Sequence, residues 1–411
     1  MSRILAAWEL GAHLGHIDRL LPVAEALRER GHELVFVLRD LSRAHPRVAA
    51  RGFTMGQAPV WLPRLAHPPR LVNYARVLAE AGWLDATGLC GLLAGWQAWF
   101  DALKPDLLLA DHAPTALLAA RGTGLRVCSV GSSFEQPPPG PSFPPLAFWN
   151  ADEAAQCAAS DAQVLAPVEE ALARSGRAAL GRLPALFDGV PRALVTLPEL
   201  AHYQGYPADT PFCGALFRDD TGVVPDWPPG PGPRVFVYLL PGHPEFAALM
   251  AALRARGLIT LVHAKGLSAD AAQRLGGPTL RFEAQPLRMD RTLAEADLVV
   301  SHGGAGTTAA ALLAGKPQLL LPTHMEQAMT GQRLVAAGLG LSVPVPAPPP
   351  AGAGAAPHRA GPDWPHLLER LLAEPGWRER ARAAAARHAG QSPQATALRA
   401  ADLVERALVQ G

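Results

Sequence analysis

The feature that most restricts the fold of this chain is an alternation of short apolar runs with amphipathic segments, which occurs twice along its 411 residues. Near the start, the run RILAAWE is followed by HIDRLLPVAEALRERG, where apolar residues recur at helical spacing before a glycine, and then by HELVFVL. This order predicts a strand, a helix and a second strand parallel to the first. The runs PDLLLAD, RVCSVGS and ALVTLPE continue the series, so the sequence predicts an α/β fold with a doubly wound parallel sheet.

The alternation stops once and then restarts. Residues 219–233, DDTGVVPDWPPGPGP, are dominated by proline and glycine, which extend neither helices nor sheets. Strand and helix patterns resume with RVFVYLL, PEFAALMAALRARG and LITLVHA and recur as far as PQLLLP. We therefore predict an N-terminal Rossmann-like domain over 1–218, a linker over 219–233 and a second Rossmann-like domain over 234–390. Two such domains that face each other would enclose a cleft.

The C-terminal end predicts two helices, LLERLLAEPGWRERARAAAARHAG and SPQATALRAADLVERAL. We expect the second, within 391–411, to pack on the N-terminal domain.

Composition restricts the class of protein. A hydrophobic content of 49% with 18% charged residues is typical of a globular protein, and a net charge of +1 gives no electrostatic attraction to nucleic acid or anionic membranes. The four cysteines form no Cys-x-x-Cys pair, which favours free thiols in a reducing cytoplasm. No uncharged apolar run reaches the roughly 20 residues of a membrane span, so we expect a cytoplasmic protein, with peripheral membrane contact left open. The predominance of arginine over lysine indicates a bacterial genome rich in G and C.

The segment SHGGAGTT, residues 301–308, lies between an apolar run and an alanine-rich helical pattern. Small residues let a ligand approach the backbone, and amides at a helix start carry partial positive charge, so this corner predicts a phosphate site. It is neither a P-loop, because no Gly-Lys-Ser/Thr follows, nor a good dinucleotide fingerprint, because the third spaced glycine is missing. The alternative is a glycine turn required only for packing.

Three other segments carry candidate chemistry. Glu326 and Gln327 follow a strand end and could bind sugar hydroxyls, although such a pair is also common on helix surfaces. In GAHLGHID, His13 and His16 are candidate general bases, with a structural role as the alternative for each. Asp111 ends the run PDLLLAD, at the end of a strand where parallel sheets present ligands, although it could instead cap the following helix.

Two stretches resemble a known family. QPLRMDRTLAEADLVVSHGGAGTTAAALLAGKPQLLLPTHMEQAMTGQRL and GHIDRLLPVAEALRERGHELVF are similar to the donor-binding signature and the first loop and helix of nucleotide-sugar glycosyltransferases. The similar enzymes are of the UDP-glucuronosyltransferase and macrolide-glycosyltransferase type, glycosyltransferase family 1-like. The resemblance implies the GT-B fold, in which two Rossmann-like domains face each other across a cleft. It also implies inverting, metal-independent transfer of a sugar from a UDP- or dTDP-sugar to a hydroxyl of a small, apolar acceptor, with the nucleotide sugar as co-substrate and no bound cofactor.

The resemblance also implies residue roles. The catalytic pair would be His16 as base and Asp111 as the residue that orients it. The donor would be bound by Gln285 and Leu287 at the nucleobase, by Pro241, Gly242, His302, Gly303, Gly304, Gly306 and Thr307 at the diphosphate, and by Glu326 and Gln327 at the sugar. The acceptor side would include His13, Gly15, Ser132 and Ser133.

The sequence departs from the family pattern at several positions. Ala310 stands where many members have a glutamate for the ribose hydroxyls, which leaves UDP and dTDP donors both open, and Arg19 stands where a proline is usual. Pro241 and Gly242 stand near the position where the family usually has a Gly-Ser pair, after the first strand of the second domain. The absence of an Asp-x-Asp motif favours metal-independent chemistry. Two other functions share the fold: a catalytically silent partner protein, and a nucleotide-sugar 2-epimerase, for which we expect several carboxylates at the site.

Overall fold

The computed structural model describes residues 1–11, 14–67, 70–218, 221–345 and 361–409. The chain forms two compact units, one made of Met1–Leu216 with Ser392–Gly411 and the other of Phe217–Gln391.

The first unit is built on a six-stranded parallel sheet in the order β3-β2-β1-β4-β5-β6. Its strands are β1 Arg3–Trp8, β2 Glu33–Leu38, β3 Thr54–Gln57, β4 Leu107–Asp111, β5 Arg126–Gly131 and β6 Arg192–Leu194. The doubly wound sheet predicted from the sequence is confirmed. The sequence did not indicate β3, because its residues, TMGQ, are neither apolar nor alternating.

Helices cover both faces of this sheet. They are α1 Gly15–Glu29, α2 Leu41–Ala49, α3 Tyr74–Leu78, α4 Ala86–Leu103, α5 Pro114–Ala120, α6 Ala151–Ala154 and α7 Cys157–Arg174, with a π-helical turn at Ala79–Trp83 and 3-10 turns at Leu183–Phe187 and Pro198–Leu200. Successive residues of β1 enter opposite hydrophobic clusters: Leu5 packs with Trp83 and Trp96, whereas Ile4 packs with Leu20. A strand that is buried on both faces has no polar alternation, which is why β1 appears in the sequence as a continuous apolar run.

The second unit repeats the architecture. Its parallel sheet has the order β12-β11-β10-β7-β8-β9, which is the strand order of the first sheet read from the opposite edge. The strands are β7 Arg234–Tyr238, β8 Ile259–His263, β9 Leu280–Glu283, β10 Leu298–Ser301, β11 Gln318–Leu320 and β12 Gly340–Ser342. The helices are α8 Phe246–Ala255, α9 Ala269–Leu275, α10 Met289–Glu295, α11 Ala305–Leu313, α12 Met325–Ala336, α13 Trp364–Ala373 and α14 Pro375–Arg387.

The C-terminal helices differ from the prediction in number. The first predicted helix is two, α13 and α14, separated at Glu374, whose backbone is extended (φ −79°, ψ 111°). Pro375 disfavours a helical conformation at the residue before it and begins the next helix.

The last helix, α15 (Pro393–Val409), packs on the first unit, as the sequence predicts. Its small residues, Ala400 among them, join the same hydrophobic cluster as Leu20 of α1. Glu405 accepts hydrogen bonds from Arg30 (2.6 Å) and from His32 (3.1 Å). These contacts place the C-terminal helix in the N-terminal unit.

Residues 221–233 of the predicted linker belong to the second unit. Trp227 is 9% exposed and packs in a cluster with Phe236 and Leu287, with the guanidinium of Arg234 above its ring. Asp219 and Asp220 lie outside the described residues.

Among the described helices, none is by itself long and apolar enough to cross a membrane, and one bent pair, Tyr74–Trp83 with Ala86–Leu103, meets that test only jointly. The cysteines Cys90, Cys128, Cys157 and Cys213 are all free thiols.

Candidate active site

The candidate residues lie at equivalent places in the two units. In the first sheet β1 and β4 are neighbours, with Trp8 in register with Asp111; in the second, β7 and β10 are neighbours, with Tyr238 in register with Ser301. At each of these pairs the winding of the sheet reverses direction. Open parallel sheets bind ligands outside the carboxyl ends of strands at such switch points. Both units therefore have a candidate site where this fold type presents one.

In the first unit, α1 and β4 bring His16 and Asp111 together. Nδ1 of His16 lies 2.8 Å from Oδ1 of Asp111, and the two side chains are 13% and 0% exposed. The ring of Trp8 stacks on the imidazole at 5.5 Å between centroids. On the remaining side lies Gly11, where an added Cβ would stand 2.3 Å from Nε2 of His16. The imidazole is thus held by a hydrogen bond, an aromatic face and a glycine.

Arg19, one helical turn after His16, connects this pair to a second carboxylate. Its Nε and Nη2 donate to the two oxygens of Asp111 at 2.8 and 2.7 Å, and Nη2 also donates to Oε1 of Glu135 at 2.6 Å. Nη2 of Arg19 also lies 3.0 Å from Nδ1 of His16. Because Nη2 already donates its two hydrogens to Asp111 and Glu135, it has none left to donate to Nδ1. Nδ1 therefore carries a hydrogen and donates it to Asp111, and the lone pair of the neutral imidazole is on Nε2.

Glu135 is a site residue that the sequence reasoning missed. It is 5% exposed, and it also accepts a hydrogen bond from the hydroxyl of Ser132 at 2.6 Å. Burial would raise the pKa of Glu135, but the charge of Arg19 outweighs burial and holds the pKa below its usual range. Glu135 is therefore a carboxylate. It follows β5 just as Asp111 ends β4, and this position at a strand end is the signal that could have identified it.

Two further buried groups surround the pair. Burial raises the pKa of Glu9 to about 7, opposed by hydrogen bonds that its carboxylate accepts from the amides of Thr115 (2.9 Å) and Ala116 (3.3 Å). Burial lowers the pKa of His112 to about 3, so this imidazole is neutral near pH 7. The first unit thus gathers more carboxylates than the sequence indicated, but each of them is already bonded to Arg19, His16 or backbone amides.

His16, His112 and Glu135 bring three possible ligand atoms within 4.8 Å of one another. Both oxygens of Glu135 already accept hydrogen bonds, from Arg19 and from the Ser132 hydroxyl, and the guanidinium brings a positive charge into the same cluster. We therefore interpret the cluster as an ion-pair network and not as a metal site.

The predicted acceptor-side residues fall into different places. Gly15 is the exposed first residue of α1. Ser132 and Ser133 are buried, and the Ser133 hydroxyl lies 2.8 Å from Nδ1 of His202 and accepts from the His202 amide at 2.7 Å. Both serines are buried, and their hydroxyls are bonded inside the unit, that of Ser132 to Glu135 and that of Ser133 to His202, so neither faces solvent. His13 lies outside the described residues.

In the second unit, the SHGGAGTT segment forms the corner between β10 and α11. Gly303 has φ +86°, a conformation that favours glycine, and its amide donates to the Ser301 hydroxyl at 3.2 Å. Gly304 is the N-terminal cap of α11 and provides no side-chain cap. The amides of Gly306 and Thr307, in the first helical turn, have no intrahelical acceptor. The corner is therefore open to an anion at the positive end of the helix dipole.

His302 follows β10 at this corner, and its ring lies edge-on to Tyr238 at 5.4 Å between centroids. Pro241 lines a surface cavity of about 550 Å³ together with His243 and Ser268, whereas Gly242 is exposed and does not line it. None of residues 301–308 lines this cavity, so a phosphate contact from Pro241 or Gly242 stays a prediction.

Glu326 and Gln327 lie in the first turn of α12. Oε1 of Gln327 accepts from both the amide and the hydroxyl of Thr323, each at 2.9 Å. The amide oxygen of Gln327 is thus used within the corner, which leaves its NH₂ group as the donor for a ligand hydroxyl.

The nucleobase candidates differ in exposure. Gln285 is exposed, whereas the Leu287 side chain is 5% exposed and packs in the interior. Val223 pairs with the neighbouring peptides of Pro286 and Arg288, so Leu287 itself offers only backbone groups. Ala310 is 3% exposed in the same cluster and offers no polar group.

Comparison with solved structures identifies the class of fold. The calicheamicin glycosyltransferase CalG4 aligns over 100% of this chain and 98% of its own, with a TM-score of 0.68 and 19% identity. The glycosyltransferase VinC, solved in complex with dTDP, aligns over 100% of both chains with a TM-score of 0.66 and 20% identity. The chain has the GT-B fold.

Sequence comparisons agree with the fold. The family described as erythromycin biosynthesis protein CIII-like, C-terminal domain, matches residues 278–401. The L-demethylnoviosyl transferase of Streptomyces niveus is 28% identical over 88% of this chain and 91% of its own. The zeaxanthin glucosyltransferase of Pseudescherichia vulneris is 26% identical over 79% of this chain and 82% of its own. This protein is a glycosyltransferase, and it is similar to enzymes of the macrolide and UDP-glycosyltransferase type.

Proposed function

We propose that the protein transfers a sugar from a UDP- or dTDP-sugar to a hydroxyl of a small, apolar acceptor, with inversion at the anomeric carbon and without a metal ion. In a single displacement the acceptor oxygen forms a bond to the anomeric carbon while the bond from that carbon to the diphosphate breaks. The acceptor proton moves to His16, and the bonding electrons leave with the diphosphate.

The observation that carries this proposal is the hydrogen bond between His16 and Asp111. Because Nδ1 donates to Asp111, the free lone pair is on Nε2, which is the form a general base requires. The carboxylate orients the ring and stabilises the imidazolium as it forms.

The second unit supports the donor half of the reaction. A developing diphosphate charge would be stabilised by the amides of the α11 start and by His302, without a cation. Gln327 would donate from its NH₂ group to a sugar hydroxyl. Because Ala310 is buried and apolar, its side chain cannot bind a ribose hydroxyl, which leaves dTDP and UDP donors both open.

The acceptor class is supported by one relative, whose name, zeaxanthin glucosyltransferase, gives zeaxanthin as the molecule that receives the sugar. The exposed aromatic pair Phe148 and Trp149, with ring centroids 5.1 Å apart, would suit an apolar aglycone.

The test is slow hydrolysis of a nucleotide sugar, which needs no knowledge of the acceptor. UDP, dTDP and GDP are first ranked by calorimetric titration, and hydrolysis of the matching glucose derivative is then followed by release of the nucleotide. We expect His16→Ala to lower turnover by about 10²–10⁴-fold. Nucleotide affinity should stay unchanged, because the proposed nucleotide site lies in the other unit.

His45→Ala is the matched control, since His45 is exposed on α2 of the same unit. It should turn over like the unmodified protein. Undiminished turnover in His16→Ala, or no binding of any of the three nucleotides, would contradict the proposal.

A further inference from the structure

Arg19 and Glu135 surround the base in a way that the His16–Asp111 pair alone does not require. Arg19 donates to Asp111 through Nε (2.8 Å) and Nη2 (2.7 Å) and to Glu135 through Nη2 (2.6 Å), and Nδ1 of His16 lies 3.8 Å from Oε1 of Glu135. The Arg19 side chain is 11% exposed, and those of Asp111 and Glu135 are 0% and 4% exposed. The four side chains form one buried network.

The charges of this network balance only when His16 is protonated. With a neutral imidazole, two carboxylates face one guanidinium and leave one net negative charge. Asp111 and Arg19 by themselves would already be neutral, because the guanidinium donates to both oxygens of that carboxylate. An imidazolium beside that neutral pair would lack a compensating charge in a buried place, which is costly. Glu135 supplies that charge.

We propose that Arg19 and Glu135 are positioning residues that, together with Asp111, set the affinity of His16 for the acceptor proton. Arg19 fixes both carboxylates and directs the Nδ1 hydrogen of His16 to Asp111, and Glu135 restores the negative charge that Arg19 neutralises. This inference rests on the proposed role of His16 as the base.

The other titratable groups near His16 do not supply this charge. His112, whose ring centroid lies 5.5 Å from that of His16, is kept neutral because burial lowers its pKa to about 3. Tyr74, next to His112, is neutral because burial raises its pKa well above its usual value. Glu9 is bonded to backbone amides at the start of α5. Its charge is also reduced near neutral pH, since burial raises its pKa to about 7.

The proposal is tested by titrating the His16 imidazole by NMR in the protein without substrate, alongside the pH profile of nucleotide-sugar hydrolysis. In Glu135→Gln we expect the His16 titration midpoint and the acid limb of the profile to move to lower pH by about one unit, since an opposite charge at this distance has been removed. In Arg19→Gln we expect a move to higher pH. The double variant, in which both charges are removed, should return to within about half a unit of the unmodified protein.

Glu25→Gln is the matched control. Glu25 accepts from Arg51 at 2.8 Å and lies on α1, nine residues from His16 or about 13 Å along the helix axis. The Glu25→Gln substitution removes the same type of ion pair, and it should leave the His16 titration midpoint and the pH profile of hydrolysis unchanged.

If Arg19→Gln fails to fold, Glu135→Gln and the double variant still provide the comparison. A Glu135→Gln protein with unchanged midpoint and profile overturns the proposal. This failure differs from that of the proposed function: if His16→Ala keeps its turnover, His16 is not the base, whereas the NMR midpoints report on the charge network whether or not the protein turns over.

Discussion

Replacement of Gly11 by alanine should separate catalysis from stability. Gly11 has φ +90°, and its added Cβ would lie 2.3 Å from Nε2 of His16. An ordinary contact needs about 1 Å more. The imidazole cannot retreat freely, because Trp8 stacks on it and Asp111 holds Nδ1 at 2.8 Å. A misplacement of about 1 Å at a reacting group costs about 10²-fold in rate, while the left-handed backbone costs an alanine about 1–2 kcal/mol.

Gly31→Ala provides the control for the backbone term. Gly31 has φ +87° but no atom within 4 Å of an added Cβ. Gly31→Ala should lose about 1–2 kcal/mol of unfolding free energy in urea denaturation. Gly11→Ala should lose about 1–3 kcal/mol more, because its added Cβ overlaps His16, and only Gly11→Ala should lose about 10²-fold in nucleotide-sugar hydrolysis. If the two variants turn over within about threefold of each other, the reasoning about His16 placement is refuted.

Two further predictions concern buried polar groups. Because folding raises the pKa of Glu9 from 4.5 to about 7, the folded chain binds this proton more tightly than the unfolded chain, and stability falls as the pH rises through that window. In urea denaturation, the unfolding free energy of Glu9→Gln relative to that of the unmodified protein should therefore rise by up to about 3 kcal/mol between pH 4.5 and pH 8. An equal difference in unfolding free energy at the two pH values would show that Glu9 does not titrate in this window. Gln327→Glu keeps the oxygen that accepts from Thr323 and loses the NH₂ donor, so it should raise the donor KM about tenfold. Thr323→Val, which removes only the hydroxyl bond, is its control, and an unchanged KM in Gln327→Glu would exclude a sugar contact from the NH₂ group.

Several elements of the fold could be predicted from the sequence because their signal is local. β1 is buried on both faces and appears as an apolar run, and Gly31 ends α1 with φ +87°. Elements whose pairing depends on distant residues were missed: β3 and β12 are short and weakly apolar, and they are strands because a neighbouring strand edge is available to them. The division of the first predicted C-terminal helix at Pro375 had a local signal that the periodicity concealed.

The candidate site residues likewise divide into those with a local sequence signal and those that depend on distant residues. The sequence by itself determined the strand, glycine and helix order around Gly303 and placed His16 at the start of the first helix and Asp111 at a strand end, because these features depend on neighbours along the chain. Only the tertiary structure decided that Arg19 and Glu135 join His16 and Asp111 and that the Ser133 hydroxyl points inward. Residues 116 positions apart in sequence, as Arg19 and Glu135 are, meet because parallel strands bring their carboxyl ends to one edge of the sheet. Charge balance in that buried space depends on which groups face each other, and periodicity carries no information about that.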